Sequence, residues 1–338
     1  MLRFKNLFSH EKFACGLDIG TQAIKMVTLK AAKDEVELNS FGLEPIGQDL
    51  GAALKRIMDS TGIKTAGISV SGSSTVVRYA DFPKMSEEEL RQSVRFEAQK
   101  YIPFPISDVS LDSSVLKDDL PGGRMLVLLA AVKKDFISQR IKAIQEAGIR
   151  VENVDFDSLA LVRTFNFNYP KEEFADEKNK TVALLNIGAS ISALNILEEG
   201  IPVFSRDIHI AGNNFTNKIR ETLGLDPKAA EEMKVNPGKE TGKAAASAEA
   251  AISELAEQLR VSFDYYESQS SSSAGKIFLS GGSSRLSGLK ERLSAILGSS
   301  VQDWDPLKKI KISQELDPAK AKELSGQLAV AVGLALSR

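Results

Sequence analysis

The sequence predicts an α/β protein of two related lobes, with a small α+β subdomain inserted in the first. Three observations carry this expectation. Leu17-Asp18-Ile19-Gly20 near the start is matched by Leu185-Asn186-Ile187-Gly188 past the middle, each between β-branched and aliphatic runs, so a strand-turn-strand unit occurs twice. At 338 residues the chain exceeds the roughly 250–300 residues that one core fills. Between the repeats, residues 84–150 carry helix and strand signals of their own.

In chain order, residues 13–19 and 23–30 read as strands joined at Gly20-Thr21-Gln22. Residues 49–60 place Leu50, Ala53, Leu54 and Ile57 on one helical face, and strands at 66–70 and 76–82 lead to Pro83. Ser86 with Glu89 fits a capping box, and Leu90, Val94, Ala98 and Tyr101 keep helical spacing until Pro103 and Pro105. A strand at 125–132 and a helix at 134–147 complete the insert, and a helix at 157–167 and a charged loop at 171–180 cross between lobes. The second block turns at Gly188-Ala189-Ser190 and continues with helices at 212–223 and 227–235. Residues 236–247, rich in Gly, Lys and Ala, read as a flexible surface loop before a helix at 248–267. A strand at 276–279 then turns at Gly281-Gly282-Ser283-Ser284 straight into a helix, and a small-residue helix at 326–336 ends the chain. The expected organisation is 1–83 and 151–180 for the first lobe and crossover, 84–150 for the insert, 181–325 for the second lobe with a helical and loop part at 216–275, and 326–338 packing back on the first lobe.

Composition narrows the function. With 43 basic against 45 acidic residues, no global field attracts nucleic acid. Cys15 is the only cysteine, and His10 and His209 are far apart, which argues against a disulfide, a thiolate cluster or a zinc site. Apolar runs fall short of the eighteen or so residues of a membrane span, so a cytoplasmic protein without direct membrane insertion is expected.

The three glycine turns suit a polyphosphate bound with a divalent cation. Glycine lets backbone approach phosphate oxygens, Thr21, Gln22 and Ser190 add donors, Lys25 adds charge, and Asp18 can hold magnesium through water. Taken singly, each turn also fits an ordinary hairpin.

On these residues, with the stretch from Phe82 through Phe104, Gly212-Asn213 and Gly281-Gly282, the sequence resembles the actin-like ATPase superfamily, whose fold is a duplicated ribonuclease H-like pair of lobes. Within it, the resemblance is to the PilM family of type IV pilus assembly proteins, relatives of FtsA. The resemblance implies ATP with Mg in a cleft formed by Asp18, Gly20, Thr21, Gln22 and Lys25 on one side and Asn186, Gly188, Ala189, Ser190, Gly212 and Asn213 on the other. Gly281, Gly282 and Ser283 are then set against the adenosine. Glu231 and Lys234 would approach ribose and base; the same pair also reads as a solvated helical ion pair. Asn186 stands where the superfamily often has an acid, which argues for weak or no hydrolysis; Asp18 and Asp157 are the catalytic candidates, although Asp155 or Asp157 also reads as a helix cap.

The implied role is a scaffold at the inner membrane that docks the N-terminal cytoplasmic peptide of a PilN-like protein, with other pilus machine components and a homo-oligomer or ring in the assembly. Phe82, Pro83, Phe96, Tyr101, Ile102 and Phe104 are candidates for the peptide wall, or else local core. A filament-forming protein of the FtsA class is the alternative; a small-molecule kinase is more distant.

Overall fold

The computed structural model describes residues 12–32, 35–170, 181–270 and 272–337. The expected loop at 171–180 lies outside the described residues.

The first block holds β1 (Lys12–Ile19), β2 (Ala23–Ala32), β3 (Glu35–Pro45), α1 (Leu50–Thr61) and β4 (Thr65–Val70). Asp49 caps α1 by accepting from the Gly51 N–H, and Gly62, at φ 70°, ends it in the left-handed conformation that glycine adopts without strain. There follow β5 (Thr75–Pro83), α2 (Glu87–Glu97), β6 (Val109–Leu120), β7 (Arg124–Lys133), α3 (Lys134–Glu146), β8 (Arg150–Phe156) and α4 (Asp157–Asn168). The capping box forms: the Glu89 N–H donates to Ser86 Oγ, and the Ser86 N–H donates to Glu89 Oε2.

The second block holds β9 (Thr181–Ile187), β10 (Ser192–Glu198), β11 (Ile201–Ile208), α5 (Gly212–Leu223), α6 (Pro227–Val235), α7 (Thr241–Ser270), β12 (Lys276–Ser280), α8 (Leu289–Leu297) and β13 (Ser300–Asp303). The chain returns through β14 (Lys311–Ile312) and α9 (Pro318–Ala335), which starts eight residues before the small-residue stretch because Asp317 caps it and Pro318 fits its first turn.

The duplication is complete at the level of topology. The first sheet runs β14-β3-β2-β1-β4-β8 and the second β11-β10-β9-β12-β13. In each, three antiparallel strands are extended by two parallel ones, and β14 adds a further parallel strand at the β3 edge of the first sheet alone. A third sheet, β5-β7-β6, carries α2 and its own apolar core around Phe82, Leu90, Met125 and Leu129. Its edge strand β5 precedes residue 84, and α3 packs with α1 in the first-lobe core through Ile137 and Ile144.

Helices on both faces explain why β9 is buried along nearly its whole length. Ala183, Leu185 and Ile187 face α5, α7 and α8, while Val182 and Leu184 face α4 and α9. On that second face Phe165, Tyr169, Phe278 and Trp304 form an aromatic cluster, with the Phe165 and Trp304 rings edge-on at 5.3 Å.

Three differences from the sequence reading have physical causes. The helix expected from 248 begins at Thr241, within the segment read as a loop: alanine is the strongest helix former, and Ala244, Ala248 and Ala251 fall on one buried face. Strands β3, β6, β8, β11, β13 and β14 had no sequence signal clear enough to assign; β6 is half exposed and interrupts its alternation with two register shifts. After Gly281 comes a single 3-10 turn, Gly282–Arg285, before α8 begins at Leu289, so the third turn does not open directly on an α-helix.

Helix α9 lies against β1, β2 and α4 at backbone contact. A Cβ at Gly333 would collide with the Ala160 carbonyl, and one at Gly16 with the Ala331 carbonyl. Gly326, in the same helix, has nothing within 4 Å of such a Cβ. Helix propensity alone favours alanine by about 1 kcal/mol at either site. Gly326→Ala should therefore gain up to about 1 kcal/mol in urea unfolding, whereas Gly333→Ala should lose about 2–3 kcal/mol through overpacking.

Candidate functional site

Two turns of the same form face each other between the lobes. The Gly20 N–H donates to the Ala23 carbonyl at 3.1 Å, and the Gly188 N–H to the Ile191 carbonyl at 3.0 Å. Each closes a four-residue turn, and among the described residues no hydrogen bond occupies the N–H groups of Thr21, Gln22, Ala189 or Ser190. Asn213, at the start of α5, ties the turns together: it accepts from Gln22 Nε2 at 2.6 Å and donates to Ser190 Oγ at 3.1 Å. The third turn is fixed on the second, because Ser283 Oγ and the Gly212 N–H both donate to the Gly188 carbonyl. A Cβ on Gly212 would run into Ser283, and Gly281, at φ 88°, donates its N–H to the Gly326 carbonyl of α9.

The cleft encloses roughly 1060 Å³ of open space, including solvent at its mouth, and is lined by Asp18, Gly20, Thr21, Gln22, Lys25, Asn186, Gly188, Ala189, Ser190, Glu231, Lys234, Gly282 and Ser283. Gly212, Asn213 and Gly281 stand directly behind this lining. Lys234 is 4% exposed and reaches Glu231 Oε2 at 2.7 Å and Thr216 Oγ1 at 3.0 Å, so the pair is an inward-facing network rather than a solvated helix face.

Besides Glu231, held by Lys234, three aspartates share the cleft. Asp18 pairs with Lys25 at 3.1 Å; the two sit directly opposite each other on β1 and β2. Asp157 is the first residue of α4 but not its cap. Burial, then the charge of Asp18, pushes its carboxyl up to about 6, against the pull of the Ser69 and Ser71 hydroxyls. Asp155 is instead bound by Arg163 at 2.7 Å. Asp207 is also pushed up by burial, opposed by the Gly72 N–H that donates to it at 2.9 Å and by His209. Behind the turn, Arg140 donates to the Ile19 carbonyl at 3.3 Å.

Asp207 escaped the sequence reading, as did Ser71, Arg285 and Gln327, which also line the cleft. The signal for Asp207 is register. In the first lobe Asp18, Lys25 and Leu43 lie side by side on β1, β2 and β3; in the second the matching row is Asn186, Ala193 and Asp207. Asn186 is neutral and accepts from Ser280 Oγ at 3.1 Å.

Among the described residues no three His, Cys, Asp or Glu side chains gather as a metal cage. The donor set fits a polyphosphate that brings its own cation: open N–H groups, glycines at the closest approach, Lys25, and carboxylates able to hold the cation through water.

The six peptide-wall candidates do not form one surface. Phe82 and Ile102, at 2% and 5% exposure, are core residues of the small sheet, the second of the two readings that the sequence leaves open for them: Phe82 points inward on β5 and stacks on Tyr101 at 6.2 Å. Tyr101 and Phe104 are half-buried against that core, Pro83 is exposed, and the Phe96 ring is 69% exposed. A second cleft, of roughly 770 Å³ with its open mouth, lies where β5 and β11, each an edge strand of its sheet, face one another. Thr75, Val77 and Arg78 line one side, Ser205, Arg206 and His209 the other, and it shares Ser71 and Asp207 with the first cleft.

A family model described as type IV pilus assembly protein PilM matches residues 16–338. The chain belongs to this family. The solved PilM-PilN type IV pilus biogenesis complex contains a chain 27% identical, with 96% of this chain and 97% of that one covered at a TM-score of 0.83. The ethanolamine utilization protein EutJ from Carboxydothermus hydrogenoformans is 13% identical, covering 97% and 90% at a TM-score of 0.57, a likeness of fold. The fold is the two-lobed actin-like one. No helix among the described residues is long and apolar enough to cross a membrane.

A raised carboxyl at Asp157 has a definite sign. Between its ordinary value of 3.8 and about 6 the folded protein holds a proton that the unfolded chain has released, so stability falls as pH rises through this window and the loss is complete above it. Asp157→Asn should therefore gain about 1–2 kcal/mol over the parent in urea unfolding at pH 8, and nothing at pH 4.

Proposed function

We propose that this chain is an ATP-binding scaffold of a type IV pilus machine, which docks the N-terminal cytoplasmic peptide of a PilN-like inner-membrane protein and links the motor layer to the membrane ring. The observation that carries the nucleotide reading is the pair of mirrored turns whose unfilled N–H groups converge from both lobes. They present to a polyphosphate the donors it needs. Lys25 supplies the positive charge, and Asp18, with Asp157 beside it, takes the waters of Mg. Bound ATP-Mg would supply the charge that holds both turns to one ligand.

Hydrolysis is expected to be weak or absent. Asn186, which stands where the superfamily often has an acid, cannot act as a base. The arrangement favours binding and lobe positioning over turnover.

For the peptide, the reading rests on family membership and on the small sheet, whose β5 edge leaves unpaired backbone over the second cleft, a surface to which an extended segment can add as a strand. The exposed Phe96 ring, with Pro83, Tyr101 and Phe104, offers further apolar contact on the same subdomain. Other pilus components, a ring in the assembly and a location beneath the inner membrane belong to this same proposal.

Calorimetry tests both halves. ATP-Mg and a synthetic peptide copying the organism's PilN-like N-terminus should each bind saturably. Lys25→Met should weaken ATP about 10–50-fold, as expected for a lost charged contact of about 1.4–2.3 kcal/mol. Val77→Pro, which removes an edge N–H, should weaken the peptide and leave ATP unchanged. ATP binding without peptide binding, accompanied by nucleotide-dependent pelleting, would replace the scaffold reading with that of a filament-forming protein.

A further inference from the structure

We infer that the small sheet is latched to the second lobe by a releasable polar seam, and that Asp207 is the member through which the nucleotide cleft controls the latch. The second half rests on the nucleotide reading above and names how the peptide site would be regulated.

The first support is what does not cross the seam. The apolar core of the small sheet draws only on that subdomain, and the apolar clusters of the second lobe draw on none of its residues. Among the described residues, three hydrogen-bonded contacts cross instead. Gly72, where the chain leaves β4 for β5, donates its N–H to Asp207 Oδ2 at 2.9 Å. Tyr79 Oη on β5 meets Ser205 Oγ on β11 at 2.8 Å, and Ser205 donates onward to Asn195 Oδ1 at 2.6 Å, which leaves Tyr79 as the donor. Burial pushes the Tyr79 hydroxyl far above its ordinary value and keeps it protonated for that role. Lys117 Nζ on β6 lies 3.4 Å from Glu198 Oε2 on β10, and Tyr266 Oη of α7 holds the other oxygen of Glu198 at 2.6 Å.

Polar contacts of this kind exchange for water at small net cost, whereas separating an apolar interface exposes surface that water penalises in proportion to its area. The seam can therefore open with each core intact. Gly72 suits a pivot: at φ 88° it holds a conformation that other residues rarely adopt, in the short connection between the first-lobe sheet and the small sheet.

Asp207 lines both clefts. In the ligand-free protein its charge is held by the Gly72 N–H. A divalent cation arriving with polyphosphate beside Asp18 and Asp157 competes for that carboxylate with a full charge, so ATP-Mg draws Asp207 from Gly72 and loosens the latch. The second cleft, bounded by β5 and β11, widens in consequence, and peptide affinity changes with nucleotide state.

Spin-label distances decide the matter. Labels at Asp112→Cys on β6 and Glu254→Cys on α7, both exposed positions, are placed in the full chain with Cys15→Ala. Without nucleotide, the seam-breaking pair Tyr79→Phe with Lys117→Met should at least double the width of the distance distribution while thermal unfolding remains cooperative; a width equal to the parent's overturns the latch. With ATP-Mg, and binding verified by calorimetry on the same sample, the parent should broaden similarly. Asp207→Asn keeps an oxygen for Gly72 but carries no charge for the cation to draw, so it should bind ATP-Mg more weakly than the parent and, at a concentration that calorimetry shows to saturate it, stay narrow. A parent that binds ATP without broadening, or an Asp207→Asn variant that broadens equally, overturns the role of Asp207. Absence of ATP binding removes the nucleotide reading and Asp207's part with it, while the nucleotide-free pair still decides the latch.

Discussion

The cleft depends on one close approach. Helix α9, from the far end of the chain, packs against β1 and α4 with backbone nearly touching backbone, which Gly16 and Gly333 alone permit. Thr164 Oγ1 then donates to the Ala329 carbonyl at 2.7 Å and Arg163 to the Gly333 carbonyl at 3.0 Å, so the crossing is fixed by polar contacts as well as by fit. Because Ala329 joins the apolar cluster of the second sheet and Ala331 that of the first, the α4 and α9 pair is shared by both lobes. The third turn hangs from the same helix through the Gly281 and Gly326 contact. Three glycine turns on three parts of the chain are thus registered against a single element.

Duplication explains both the symmetry of the site and its one asymmetry. Equivalent strands put equivalent turns opposite one another, yet the charged row differs. The first lobe keeps its acid and its cation on adjacent central strands, where they neutralise each other. The second has an amide and an alanine there and carries its acid on the edge strand, next to the small sheet. Moving a carboxylate outward by two strands leaves the centre of the cleft less acidic and gives the periphery a group that answers to two neighbours.

Much of this was legible before any coordinates. The repeated strand-turn pairs, the capping box at Ser86 and Glu89 and the helices starting at Gly212 and Pro227 are local signals, and local signals survive folding. What escaped is what depends on register or on distant partners. Asp207 is an ordinary surface-type acid in sequence and acquires meaning only from Asn186 two strands away. Glu231 and Lys234 look like a solvated pair until Thr216 and Gly212 close around them. Phe82 and Phe96 are both aromatic residues of the same segment, and only the strand pleat and the helix face decide that one is core and the other is surface. The start of α7 was hidden because alanine with glycine and lysine describes a linker as well as a helix; the buried faces of Ala244 and Ala248 settle it.

The aromatic cluster between the lobes also equips the protein with an optical probe. Trp304 is the sole tryptophan of the chain, 5% exposed, and its indole N–H has no hydrogen-bond partner among the described residues. It sits with Phe165 of α4 and Phe278 of β12 in the apolar cluster that packs the second sheet against the α4 and α9 pair. Excited where tyrosine does not absorb, its emission should be blue-shifted in the intact molecule and report on that cluster, separately from Tyr79 and Tyr101 of the small sheet and Tyr265 and Tyr266 of α7.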